Sequence, residues 1–434
     1  MIKRILALLL CLLTLLPLAG CGQRKAETKT EPTVELNVVT SYGRDDGNRK
    51  SFEAAVASFE EKTGYRIVDG SSTSNEEWKN KVLTDFMTGS EPDVLFYFTN
   101  VDAEPFINAG RVVSIEEIRE EYPDYATNMK EALMAVASDG RHYAVPSSGY
   151  WENLFVNRRV LEACGLPLPG PEYTWDAFLS DCEIIRTAGY TPIACSLFEI
   201  PHYWFEFAVL NNGTLADHLT VPHLDAEGRL VRDAAAESWI AAIEDIKTLY
   251  EAHDLPENTL TATDAETVAL FAEGRAAFLI DGSWKVGFLT EYYPEHLDDY
   301  VVSYVPGKGT RRATEAIGGI SMGYFITRKA WNDPQKRAAA VSFVFHMTSE
   351  EVLSSFITTE VTALIDGADP AGLNAIQQSA AETNAHITGI VGAVQDTISG
   401  EAKSELFADI QKCVTGQMSA AEAVEAAVRL NEEP

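Results

Sequence analysis

The stretch from Val34 to Phe98 alternates between two hydrophobic periods, and that alternation limits the fold more than anything else in the chain. Val34 to Val39 reads as a strand; Phe52, Ala55, Val56 and Phe59 then recur at i, i+3, i+4 and i+7, a helix with one buried face that Gly64 ends. Tyr65 to Asp69 is a second strand, Asn75 to Thr88 a second helix carrying Trp78, Val82 and Phe86, and Asp93 to Phe98 an almost wholly apolar third strand. Strand, helix, strand, helix, strand calls for a parallel sheet covered by helices. Ligands of such sheets collect outside the carboxyl ends of the strands, here Ser41 to Asp46, Ser71 to Glu76 and Thr99 to Asp102.

A second unit follows Val145-Pro146. Glu152 to Asn157 is predicted extended, Thr174 caps a helix to about Thr187, Ile193 to Ser196 is a strand, and Ser238 to Ala252 is amphipathic, with Trp239, Ala242, Ile243, Ile246 and Leu249 on one face. Thr263 with Glu266 makes a capping box; its helix ends near Gly274, and a buried strand, Ala276 to Ile280, feeds Asp281-Gly282-Ser283-Trp284. Beyond Val301 to Val305 come Gly318-Gly319, a strand from Met322 to Thr327, a helix opened by Asp333-Pro334, and then mainly helix, the last boxed by Ser419 and Glu422.

Lys3 and Arg4 precede an apolar stretch, Ile5 to Leu18, that is short for a membrane anchor and shaped like a secretory signal, and it runs into Leu18-Ala19-Gly20-Cys21. The polar segment 22–33 reads as a flexible tether with a reach of ~40 Å when extended. Of the later cysteines, Cys164, Cys182, Cys195 and Cys413, none stands in a zinc-like or CxxC spacing, and they allow three pairings among which the sequence does not choose. With 34 basic against 65 acidic residues the net charge is −31, which repels phosphate backbones and argues against nucleic acid as a partner.

Four segments then carry a family resemblance: YAVPSSGYWENLFVNRRVLEACGLPLP (143–169) with TWDAF (174–178), FAEGRAAFLIDGSW (271–284), GGISMGYFITRKAWNDPQKRAAAVSFVFHMTSEE (318–351) and GQMSAAEAVEAAVRL (416–430). In their order, and behind a lipobox-like tetrad, the chain resembles the extracellular solute-binding lipoproteins of bacterial ABC transporters, in the maltose-binding-protein-like sugar-binding group. The resemblance implies a signal peptide at 1–20, lipid on Cys21, and a lipidated tether at 21–32. It implies an α/β, two-lobed periplasmic-binding-protein-like fold, each lobe a mainly parallel sheet flanked by helices. Lobe one is expected at 33–144 and 303–346 and lobe two at 145–302 and 347–434, with hinge crossings near Val145-Pro146, Val305-Pro306 and Met347-Thr348. The function implied is that of a monomer without cofactor or metal that binds a sugar or oligosaccharide between the lobes. It would deliver that solute unaltered to the transmembrane subunits of an ABC permease, from a lipid anchor on the extracellular or periplasmic face of the membrane.

A sugar offers a rim of hydroxyls and a face of C–H groups, so its site needs aromatic planes beside amides and carboxylates. Trp284 is the first candidate, after a buried strand and a glycine turn and at the place of the family's cleft tryptophan; the bland alternative is packing against its own lobe. Tyr150, Trp151 and Trp204 are further candidates, although the first two run into a core strand and HYWF, 202–205, reads equally as helix core. Asp281 belongs to the Trp284 turn. Tyr42, Asp46, Asn75, Glu76, Asn100 and Asp102 form the lobe-one set because three strand ends converge there. Gly318 and Gly319 would let backbone approach the solute, or mark a turn.

The rival from another class is a secreted glycoside hydrolase, which needs only two well-placed carboxylates. No GxSxG or HExxH occurs, Gly307-Lys308-Gly309-Thr310 is no P-loop, and His202, His218 and His223 fit no metal spacing. Within the same fold a non-sugar solute such as a polyamine stays open, because fold does not decide the ligand.

Overall fold

A computed structural model of the chain describes residues 34–43, 46–147, 149–356 and 373–432. The expected signal peptide, the tether and Cys21 lie outside the described residues. The strands are β1 (Glu35–Val39), β2 (Arg66–Asp69), β3 (Val94–Phe98), β4 (Val145–Pro146), β5 (Tyr150–Asn157), β6 (Thr191–Ile193), β7 (Ala276–Gly282), β8 (Tyr300–Ser303), β9 (Glu315–Gly319), β10 (Met322–Ile326) and β11 (Gly389–Val391). They form two sheets. Lobe one has the order β2-β1-β3-β10-β4, and lobe two β11-β9-β5-β7-β6 with β8 also on β5. In each sheet one strand runs against the rest, β10 in the first and β5 in the second.

Local chemistry sets the first lobe. Helix α1 (Arg49–Thr63) buries Phe52, Ala55 and Phe59 and stops where Gly64 turns left-handed at φ 75°. Helix α2 (Glu76–Thr88) starts because the Asn75 side chain accepts the Trp78 N–H. β3 is buried on both faces, as a central strand must be, whereas β2 at the edge buries only Ile67. In lobe two, helix α3 (His202–Asn212) is apolar on nearly every side and sits inside the core, packed on the long helix Ala234–Glu251. That long helix begins four residues earlier than its apolar periodicity suggests, because Asp233 accepts the Ala236 N–H.

Sheet membership draws the lobe boundaries differently from the expected ones. β8 and β9 both pair with β5, so residues 303–319 sit in lobe two, and Val305 and Pro306 are tied there through their carbonyls to buried Arg311. The helix Glu350–Phe356 places Val352, Leu353 and Phe356 in the core with Phe52 and Phe59, so 347–356 belongs to lobe one. The chain crosses between β4 and β5, next to Val145-Pro146, and again between β9 and β10. The expected crossings at 305–306 and 347–348 lie inside a lobe; a further one falls between Phe356 and Leu373, mostly outside the described residues.

The lobes touch. Gly47, just before α1, faces Gly287 in helix α4 (Trp284–Tyr292): a Cβ on Gly287 would stand 3.0 Å from the Gly47 Cα, and one on Gly47 would stand 2.8 Å from the Gly287 Cα. Lys50 and Glu291, one turn further along each helix, form an ion pair at 2.8 Å. Among the described residues no helix is long and apolar enough to cross a membrane.

Candidate functional site

β7 runs buried to its carboxyl end, and Trp284 opens the helix that follows. Its indole lies over Gly282, where a Cβ would come within 2.2–2.4 Å of three ring carbons, so only glycine leaves the ring its place. The half-buried indole packs on the lobe-two core with one part and approaches Tyr150 and Tyr203 with another, ring centroids 6.2 and 6.3 Å away. It also lines a crevice of about 300 Å³ between the lobes, together with Gly47, Asn48 and Lys50 of lobe one and Gly287 and Glu291 of lobe two. That volume is at the lower end for small-molecule sites, ~300–1,000 Å³.

The lobe-two candidates divide. Tyr150 starts β5, half-buried, with its hydroxyl accepting the Ala393 N–H at 3.3 Å. Trp151, the next residue and so on the opposite face of the strand, is in the core beside Phe155. Trp204 is also core, stacked on Phe178 at 5.7 Å. Asp281 lies buried beneath the Trp284 turn, accepting the Gly282 N–H at 2.8 Å and paired with Lys285 at 3.1 Å. Burial holds its carboxyl above the ordinary range against the pull of Lys285. For Lys285 burial works downward, yet Asp281 and Asp264 outweigh it and hold the ammonium up at about 12. Gly318 is small for its own sheet: a Cβ there would lie 2.6 Å from the Tyr150 carbonyl oxygen. Gly319, opposite Tyr150 in the ladder, takes φ 143° with nothing near its missing Cβ.

In lobe one Tyr42 leaves the expected rim for the core, stacked on Phe96 at 5.1 Å and packed on Phe52 and Phe356. Asp46 caps its own turn by accepting the Asn48 N–H at 2.7 Å, and burial pushes its carboxyl up to about 6. Asn75 is spent as a helix cap. Glu76 and Asp102 converge on Lys79, at 3.0 and 3.3 Å, whose ammonium also sits 4.4 Å over the Phe98 ring. The Asn100 side chain accepts the Asp102 N–H, leaving its amide nitrogen buried without an acceptor. Burial would lower Lys79; Asp102, Glu76 and, from lobe two, Asp396 outweigh it and raise it.

Beyond the expected set, lobe two buries two acids within largely apolar runs: Glu152 in YWENLFV and Glu206 in HYWFEFAVL, a mismatch with their neighbours that is itself the sequence signal. Both carboxyls are buried, and desolvation, joined for Glu206 by the charge of Glu152, pushes both above the ordinary range. His202, one turn ahead of Glu206, is driven down to about 3 by burial, then by Lys403 and Lys79, and stays neutral.

The carboxyl pair has a stability consequence. Its folded affinity for protons exceeds that of the unfolded chain, so the pair costs nothing well below the ordinary carboxylate value and progressively destabilises as pH rises from about 4.5 toward the raised value. Glu206→Gln removes that titration with little change of shape. Its melting temperature is expected to match the parent's at pH 4.5 and to exceed it by about 1–2 °C at pH 8, the scale of one kcal/mol for a chain of this length. Melting curves at the two pH values check this, and a difference that does not vary with pH would contradict the raised carboxyls.

Comparison with known proteins places this geometry. Residues 54–383 match the family described as bacterial extracellular solute-binding protein. A search of curated proteins returned no match. Among solved structures, a chitin oligosaccharide binding protein superposes with a TM-score of 0.77 at 18% identity, over 93% of this chain and 99% of its own. The solute-binding protein RafE in complex with raffinose gives 0.73 at 18% identity over 92% and 100%, and the apo form of RafE from Streptococcus pneumoniae gives 0.65 at 18% over 93% and 99%. The match spans well over half of the sequence and the two-lobed architecture agrees with it: the chain belongs to the bacterial extracellular solute-binding protein family.

Proposed function

We propose that the protein captures a carbohydrate, a sugar or short oligosaccharide, between its lobes and hands it unaltered to an ABC permease, held at the membrane surface by lipid on Cys21. The observation that carries this reading is the Trp284 indole, half-buried at the interlobe crevice and flanked by Tyr150 and Tyr203. Such a wall covers the C–H face of a sugar ring. Glu76, Asn100 and Asp102 from lobe one supply groups for the hydroxyl rim, and Asn48, held in its turn by Asp46, lines the crevice. The sugar and oligosaccharide ligands of the similar structures support the same class.

A hydrolase reading requires two accessible carboxyls ~5–9.5 Å apart on either side of a scissile bond, whereas Glu152 and Glu206 are both buried. The test is a thermal-shift panel of mono- and oligosaccharides, amino acids and polyamines, with product analysis by chromatography. A carbohydrate that raises the melting temperature by several degrees and is recovered intact is the expected result. A panel in which no carbohydrate shifts the curve, or in which the glycan is cleaved, overturns the proposal.

A further inference from the structure

Glu152 and Glu206 have no counter-charge. The neighbouring lysines are engaged elsewhere: Lys403 with Asp396 at 3.3 Å, Lys285 with Asp281 and Asp264 at 3.1 and 3.2 Å, and Lys79 with Asp102 and Glu76. Both carboxyl oxygens of Glu206, a residue 0% exposed, and Oε2 of Glu152 receive no hydrogen bond of good geometry. Gln395 is an independent observation. It lies beside Glu206, 6% exposed, and its Oε1 also lacks a donor, a deficit that no proton can repair because an amide does not titrate near neutral pH. Glu152 lies two residues along β5 from Tyr150 and so on the same face, and the Tyr150 hydroxyl accepts the N–H of Ala393, two residues before Gln395. Tyr150 in turn approaches Trp284, which lines the crevice, so these side chains lie on the side of lobe two that carries Trp284.

We propose that Glu152, Glu206 and Gln395 form a subsite for a protonated amine carried by the solute. A hydroxyl brings one donor and no charge. An ammonium brings three donors, one for each of these side chains, and the charge that two buried carboxylates lack. Removal from water makes that match selective, since a neutral hydroxyl reaches one of these acceptors and an ammonium reaches three. This rests on the carbohydrate reading only for the rest of the solute: amino sugars and polyamines both offer the amine.

Calorimetric titration of the full mature chain at pH 6.5 separates the possibilities, with the β-1,4 dimer of glucosamine, its N-acetylated counterpart and spermidine as probes. The deacetylated dimer is expected to bind at least about tenfold tighter than the acetylated one, the scale of one charge-assisted hydrogen bond. Glu206→Gln is expected to bring that ratio to about one, and Glu152→Gln to reduce it. Spermidine binding without either dimer would support the amine subsite and overturn the carbohydrate reading. Equal or tighter binding of the acetylated dimer, a preference that survives Glu206→Gln, or no amine binder at all would overturn the subsite while leaving carbohydrate capture to its own test.

Discussion

Gly287→Val is expected to hold the lobes apart and weaken solute binding about 10- to 100-fold, the cost of overpacking a tight contact. The argument is steric. A Cβ at 287 meets the Gly47 Cα at 3.0 Å and its carbonyl carbon and oxygen at 3.3 Å, all backbone atoms that cannot swing aside as a side chain does. The branched methyls of valine extend further into the same place. Within α4 the change is mild, because valine is no worse than glycine in a helix interior, so the solute-free melting curve should scarcely move. The Lys50–Glu291 ion pair on the same seam also lines the crevice, but it contributes less: Lys50 is 76% exposed, and such surface pairs contribute ~0–1 kcal/mol. Lys50→Ala should accordingly change affinity less than about fivefold. Small-angle scattering with and without saturating solute reads closure directly. If Gly287→Val compacts as the parent does, the glycine contact is not where closure is decided.

The fold was legible in the sequence wherever periodicity and capping acted together. The first five elements, the Thr263–Glu266 box and the strand leading into Trp284 all follow from local pattern, and the structure forms each of them. What local pattern could not give was partnership between distant strands. Val301 to Val305 is marked by its apolar run, but nothing in it says that Tyr300–Ser303 would ladder with β5, so the lobe boundary was expected about seventeen residues too early. Site residues divide in the same way. Position at a strand end did bring Glu76, Asn100 and Asp102 into one cluster, around Lys79. It could not tell that Tyr42, on its turn, would fold back onto Phe96, or that Trp151 and Tyr150 would face opposite sides of one strand. Glu206 is the converse case: a charge in an otherwise apolar helix is visible in sequence, but its meaning depends on Glu152, fifty residues away and brought beside it only by packing.

The second large effect is at Trp284. Replacing it with alanine removes an aromatic face from the crevice; if about 100 Å² of indole covers the solute, burial at ~25 cal/mol/Å² amounts to about 2.5 kcal/mol, or a loss of about 70-fold in affinity. The same indole also packs on the lobe-two core above Gly282, so part of its area is structural and the solute-free melting temperature should fall as well. The two contributions are separated by keeping a plane. Trp284→Phe preserves a ring over Gly282 and is expected to retain binding within about tenfold, while Trp284→Ala loses it. Intrinsic fluorescence offers a second separation, since solute-dependent change should vanish in both variants if Trp284 is the reporting indole among the chain's seven tryptophans. An alanine variant that binds as tightly as the parent, even with a lowered melting temperature, would make this tryptophan a packing residue and move the recognition surface to the other wall of the gap, where Lys79, Asp102 and Phe98 meet.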